Sequence, residues 1–323
     1  MPRFNIHHIT KYTYEGPVRD SANQIVLFPI KDEYQEVLKQ ELTITGDPLV
    51  DIYKDYYDNE IGSFTNAESH TTLTIDSKLD VITKSRPPIN NEAGVETQWN
   101  HLEQVRWQVP YIDFLKQEQF AHLQEILEKA RAGEARTLKP LEAAERLRSY
   151  VYDHFKYIKG VTTVETTLDE VWDLKAGVCQ DFAHILLILL RQLQIPSRYV
   201  SGYICPNKNG MRGEGATHAW IEAYIPFNGW VGLDPTNNCL VEDLHVRLAV
   251  GRSFSDVSPV KGTYKGTAGQ SLEVGVSVSY ENDKTTEEEV ATILTPQPAS
   301  PGNETERNSY RRFLEMQQQQ QQQ

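Results

Sequence analysis

Apolar and polar positions alternate with a period of two from the start of the chain. Phe4, Ile6, His8, Thr10, Tyr12 and Tyr14 interleave with more polar neighbours. Residues 41–45 and 70–83 repeat the pattern, the latter with Leu73, Ile75, Leu79, Val81 and Ile82 as its apolar members. Alternation of this kind turns one face of a strand toward a core. Turn-forming residues separate the runs at Glu15-Gly16-Pro17, Gly46-Asp47-Pro48 and residues 57–62. Residues 1–85 are therefore predicted to form a small β-sandwich. His7 and His8 fall on opposite faces of the first strand, so they cannot share an ion and read as structural.

The period changes after Arg86-Pro87-Pro88, where consecutive prolines stop both helix and interior strand. Residues 89–116 give no clear period. Residues 117–132 and 140–157 read as helices, the second with Leu141, Ala144, Leu147, Val151 and Phe155 on one stripe. Residues 175–191, KAGVCQDFAHILLILLR, predict the central helix. Phe182, Ile185, Leu186, Leu189, Leu190 and Leu193 recur at helical spacing, and Leu187 and Ile188 fill the other faces, so this helix is buried nearly all round. Gly177 marks its start. It must end before Ile195-Pro196, because proline disfavours helical geometry in the preceding residue.

Beyond it the strand period returns. Residues 198–205 alternate, and residues 207–215 form a polar, glycine-bearing loop that leads to His218 and is a candidate cleft rim. His218, Trp220, Glu222 and Tyr224 face one way; Ala219, Ile221, Ala223 and Ile225 face the other. Pro226-Phe227-Asn228-Gly229 is a turn signal, and residues 230–234 return as a strand. The register has consequences. A three-residue loop over 226–228 pairs Ile225 with Gly229, places His218 opposite Thr236 and makes Asp234 its same-face diagonal neighbour. A two-residue Asn228-Gly229 turn sends Asp234 to the wrong face. If His218 and Asp234 act together, the loop must be odd in length, with Gly229 in a left-handed bulge, or a strand must carry a bulge.

Composition narrows the function. With 45 acidic and 32 basic residues the formal net charge is −13, which disfavours nucleic acid and anionic membrane as partners. The longest apolar run, residues 185–190, is too short to span a bilayer. The N-terminus lacks the apolar core of a signal peptide. Three cysteines, Cys179, Cys205 and Cys239, form no CxxC and fit a reducing compartment. The expectation is a soluble, cytoplasmic protein.

Cys179 falls on the first turn of the central helix. Unpaired N–H groups and the helix dipole favour negative charge there, and hence the thiolate. Cys179, His218 and Asp234 follow in the order of a nucleophile, a base and an orienting carboxylate. The segments GVCQDFAH, IPSRYVSGY, HAW and GWVGLDPT together resemble the transglutaminase-like superfamily, in the bacterial branch described as cysteine proteases. The opening HHITKYTYEGPV resembles the β-domain that precedes the core in that branch, although Asp58-Asn59 stands where the branch more often has Gly-Asn. The resemblance covers residues 1–280, poorly around 89–116.

The resemblance implies an α+β fold: an N-terminal β-sandwich (1–85), a linker and helical segment (86–139), and a transglutaminase-like, papain-like core (140–280) whose Cys-bearing helix packs on an antiparallel sheet. A Gln-rich, acidic tail (281–323) would be disordered, apart from a short helix over 310–316. It further implies amide acyl transfer through a thioester, with Cys179, His218 and Asp234 catalytic, Tyr157 a candidate oxyanion donor, and a peptide or protein substrate. Hydrolysis leads, and transfer to an amine is the alternative. Asp181 and His184 read as structural. No cofactor or metal is expected: no acidic cluster has EF-hand spacing. A non-catalytic peptide-binding scaffold is a second class. A zinc site from Cys179, Cys205, His218 and Cys239 is a third, though those spacings match no common zinc motif.

Overall fold

A computed structural model describes residues 1–163, 166–205, 211–212, 217–281 and 295–296. Most of the 207–215 loop and of the 281–323 tail, including the helix expected over 310–316, lies outside the described residues. In chain order the elements are β1 (Arg3–Ile25), β2 (Gln35–Ile44), β3 (Asp51–Lys54), β4 (Glu60–Asn66), β5 (His70–Thr83), α1 (Val95–Val105), α2 (Leu123–Lys129), α3 (Ala132–Ala135), α4 (Pro140–His154), β6 (Lys156–Tyr157), α5 (Leu168–Leu174), β7 (Ala176–Gly177) and α6 (Cys179–Gln192). There follow β8 (Ser197–Ile204), β9 (Thr217–Ile225), β10 (Gly229–Asp234), β11 (Cys239–Leu240), β12 (His245–Gly251), α7 (Phe254–Val257), β13 (Val260–Lys265), β14 (Gln270–Tyr280) and β15 (Thr295–Pro296). The α+β class that the resemblance implied is the class observed. No described helix is long and apolar enough to cross a membrane.

The chain divides into two compact units. One comprises Arg3–Lys31, Glu36–Ile82 and Ser258–Gln323; the other comprises Met1–Pro2, Asp32–Gln35 and Thr83–Val257. The first is built on β1. Its first half pairs with β5 on one side and β14 on the other, and after an irregularity between Thr13 and Val18 its second half pairs with β4 and β13. Phe4, Ile6, His8, Thr10 and Tyr14 are buried, the alternation read in the sequence. His7 bonds Asp76 at 2.8 Å and His8 bonds Thr10 at 3.2 Å, each on its own side of the strand. The core expected over 140–280 ends earlier in space. β14 pairs with β1 in continuous antiparallel register from Phe4–Tyr280 to Tyr14–Gln270, so the last strands complete the N-terminal unit. Sequence alternation marks a strand but not its partner, which is why this pairing could not be read ahead.

In the second unit β8–β12 form an antiparallel sheet in the order β11-β10-β9-β8-β12, and α6 packs against β8 and β9. The stripe of α4 is buried as expected, and α6 is buried nearly all round from Phe182 to Leu190, with His184 the exception. α6 ends two residues before the left-handed Gln194, whose N–H bonds the Arg191 carbonyl, and Pro196 follows. The helix expected over 117–132 shrinks to α2. Side-chain ties hold its first residues elsewhere, Gln117 to the Ile188 carbonyl and Glu118 to His184, and Arg131 turns left-handed before α3. The stretch 89–116, which gave no clear period, contains α1, anchored by Trp99 donating to the Leu138 carbonyl at 2.9 Å.

Candidate active site

Cys179 is the first residue of α6, half-buried, after an extended Val178. The helix start is fixed by Asp181. Its Oδ2 accepts the Val178 N–H at 2.8 Å and the Thr162 hydroxyl at 2.7 Å. Gly177 is required here: a Cβ on it would lie 2.4 Å from Asp181 Oδ2. The structural reading of Asp181 and His184 fits these contacts, His184 bonding Glu118 at 3.1 Å and accepting the Phe254 N–H at 3.2 Å. The parallel pairing of Tyr157 with Gly177 brings the tyrosine beside the same helix start. Burial, and to a lesser degree Cys179, push its hydroxyl pKa up to about 12, so it remains a donor at neutral pH.

β9 and β10 pair Ile225 with Gly229 and continue to Ile221–Leu233. The loop is the three-residue one, and Gly229 is left-handed (φ 79°). His218 Nε2 and Asp234 Oδ2 are accordingly 2.8 Å apart in a site where both side chains are fully buried. Asp234 accepts further bonds. Oδ1 takes the backbone N–H of Thr236 (2.8 Å) and of Asn237 (3.2 Å). Oδ2 also takes Asn237 Nδ2 (2.8 Å) and lies 3.3 Å from His245 Nε2. Burial would raise the Asp234 pKa, but the two imidazoles beside it hold the carboxyl well below the usual carboxylate range.

The same exchange acts on His218. Burial pulls its pKa down; the Asp234 charge and hydrogen bond, helped by Cys179, outweigh this and raise it to about 10. The charged imidazolium is thus the favoured form through neutrality. With Nε2 on Asp234, Nδ1 is the remaining ring nitrogen, and it is buried without a hydrogen-bond partner among the described residues. Cys179 is near enough to act on the ring, yet no aligned sulfur hydrogen bond forms in this resting geometry. Such bonds are often loose until substrate binds.

All three cysteines are free thiols. Burial pushes Cys205 well above the ordinary thiol range, and burial with Asp234 nearby pushes Cys239 up to about 12. The set Cys179, Cys205, His218 and Cys239 is not gathered. Among the described residues, the ligand atoms that approach one another are those of His218, Asp234 and His245, all within 4.8 Å. Asn237 and His245 escaped the sequence reading. Asn237 follows Asp234 by three residues in the run DPTNN and could have been flagged as a turn donor, whereas His245 carries no spacing signal.

Residues 128–235 match the transglutaminase-like superfamily core, and residues 4–82 match the bacterial transglutaminase-like N-terminal region. An uncharacterized protein of Mycobacterium leprae is 31% identical over 283 residues, spanning 86% of this chain and 99% of that protein. A protein-glutamine gamma-glutamyltransferase of Pseudomonas aeruginosa is 31% identical over 100 residues, which is 29% of this chain and 15% of that protein. The crystal structure of a "putative cysteine protease" from Cytophaga hutchinsonii superimposes with a TM-score of 0.68 at 22% identity, covering 88% of this chain and 92% of that one.

Proposed function

The chain belongs to the transglutaminase-like superfamily, and from that premise we propose that it is a cysteine-dependent enzyme that cleaves or transfers amide acyl groups through a thioester. The observation that carries the reading is His218: its Nε2 is committed to Asp234, its Nδ1 has no other partner, and Cys179 bears on the same ring.

In the resting enzyme Cys179 is the thiolate and His218 the imidazolium. The sulfur attacks the carbonyl carbon of a peptide or glutamine-type amide. Negative charge collects on the oxygen, where the first N–H groups of α6, which have no acceptor within the helix, and the Tyr157 hydroxyl can donate. One such donor contributes about 3–4 kcal/mol. His218 gives its proton to the departing amine, and the C–N bond breaks to leave a thioester on Cys179. Neutral His218 then removes a proton from an incoming nucleophile, which attacks the thioester; the thiolate leaves, and the imidazolium is restored. Asp234 orients the ring and stabilises its charged form throughout.

Water as the second nucleophile makes the protein a protease or amidase, the leading reading. An amine makes it a transglutaminase, an alternative supported by the name of the Pseudomonas aeruginosa relative. Mass spectrometry of a glutamine-containing peptide incubated with and without a primary amine separates the two.

The deciding experiment for the thiolate–imidazolium pair is alkylation rate against pH, with each cysteine resolved by mass spectrometry. Cys179 should react well below about pH 8, where an ordinary thiol is slow. Cys205 and Cys239 should stay inert, and His218→Ala should remove the advantage. Cys179→Ala should abolish turnover with the fold intact; activity that survives it would falsify the nucleophile assignment.

A further inference from the structure

His245 lies at the start of β12, 5% exposed, on an element remote in sequence from the hairpin that carries His218 and Asp234. The chain turns back after Asp234 through β11, which pairs with the end of β10, and β12 then begins with His245 opposite Ile204 on β8, two residues beyond the Gly202 that pairs with His218. Its ring stands edge-on to Trp220 at 5.2 Å and lies 6.2 Å from the His218 ring. Trp220 owes its place to Gly202, since a Cβ there would sit 2.5 Å from the indole. The imidazole is therefore held by packing, and its Nε2 is aimed at Asp234 Oδ2.

The tautomer follows from the partners. An ionised carboxylate only accepts, so the nitrogen facing Asp234 must carry a proton. His245 Nδ1 is buried and has no hydrogen-bond partner among the described residues. A proton on Nδ1 would be a buried donor with no acceptor, which is costly; His218 Nδ1 differs in having Cys179 near enough to act on its ring. The arrangement that satisfies the site is Nε2–H with Nδ1 bare. Two imidazoles then share one carboxylate oxygen unequally: His218 as the charged partner, and His245 as a neutral donor.

We propose that His245 is a positioning residue for the reaction: a neutral Nε2–H donor that, with Asn237, pins Asp234 Oδ2 in the orientation His218 needs. It touches no substrate and acts only through Asp234. Without it the carboxylate keeps its backbone bonds on Oδ1 but loses a restraint on Oδ2, and the His218 imidazolium loses part of its stabilisation. The inference rests on the thiolate–imidazolium reading above, and its tests are chosen to fail separately from it.

The first test needs no activity. Nitrogen-15 NMR of the imidazoles in the whole protein should show His245 protonated at Nε2 and bare at Nδ1, while His218 is protonated at both. A proton on His245 Nδ1 overturns the proposal. The second test compares His245→Gln, which keeps an N–H near Nε2, with His245→Leu, which keeps similar bulk without a donor. Thermal unfolding identifies the folded fraction of each. In the folded protein, Cys179 alkylation at pH 7 should fall about tenfold in the Leu variant, the size of a lost hydrogen bond to a charged group, and stay within about threefold of wild type in the Gln variant. Equal rates in Leu, Gln and wild type, or equal losses in Leu and Gln, overturn the positioning role. If wild-type Cys179 instead shows no advantage that His218→Ala removes, the thiolate–imidazolium reading itself has failed, and the positioning role falls with it. The NMR result then stands as a statement about the tautomer alone.

Discussion

At the scale of single residues the site depends on an exchange between burial and charge. His218 and Asp234 are both fully buried, and each overcomes its own desolvation chiefly through the other, with Cys179 helping His218 and His245 helping Asp234. The pair therefore makes stability depend on pH in a stated direction. The folded-state pKa of His218 lies above its ordinary value, at about 10. Its contribution is complete below about pH 6.5 and is lost as pH rises through about 10. Asp234 is shifted the other way, so its contribution is present above about pH 4 and is lost only as pH falls toward its depressed value. Asp234→Asn should remove both. Urea midpoints of wild type and variant should differ most at about pH 5–6.5 and narrow as pH rises through about 10, where the His218 part is lost and the Asp234 part remains; a constant difference would mean that the pair is not ionised as described. The residues of this pair were legible in the sequence because motif order and strand register converged on them. His245 was not, because it reaches Asp234 from 11 residues further on, and no local period encodes that approach.

At the scale of elements, the hairpin β9–β10 was legible down to its loop, since a single-residue slip would have thrown one member of the pair onto the other face. The helices of residues 86–139 were legible only in part. α1 has Val95, Leu102 and Val105 for its inner face but begins amid polar residues, and α2 is cut short by tertiary ties that no propensity reports. β9 also carries a feature that alternation alone could not disclose. Glu222 shares the face of His218 and is wholly buried, bonded to Arg198 at 2.6 and 2.8 Å and to Arg86 at 3.3 Å, with Arg247 3.9 Å away. Burial raises its pKa, but the three guanidiniums prevail and hold it ionised. Glu222→Gln keeps the shape and removes the carboxylate that all three face. Breaking a buried ion pair in this way costs about 3–5 kcal/mol, which urea unfolding at neutral pH would register. A loss below about 1 kcal/mol, the size of an exposed pair, would show that water already screens the network.

At the scale of the whole molecule, the N-terminal unit is discontinuous along the chain. Residues 3–82 supply β1 and β5, but the other flank of β1 is filled by β14 and β13, which lie beyond the last strand of the second sheet. Sequence similarity to the bacterial N-terminal region ends at residue 82, so a boundary drawn from motifs alone leaves β1 with an open edge. The physical consequence is specific. Without β14, the backbone groups of Phe4–Tyr14 on that side have no partner, and Phe4 loses the Tyr280 ring, whose centroid is 5.0 Å away. A truncation after Val257 removes β13 and β14 together. It should render the N-terminal unit sensitive to limited proteolysis within residues 3–82 and prone to self-association, because an unpaired interior strand edge is a template for pairing with another chain. Light scattering and mass-mapped proteolysis of the truncated and full-length chains would measure both effects. A truncated protein as protease-resistant and monodisperse as the full chain would mean that β1 and β5, with β2, β3 and β4, already form a self-sufficient unit, and that the C-terminal strands add nothing to its integrity.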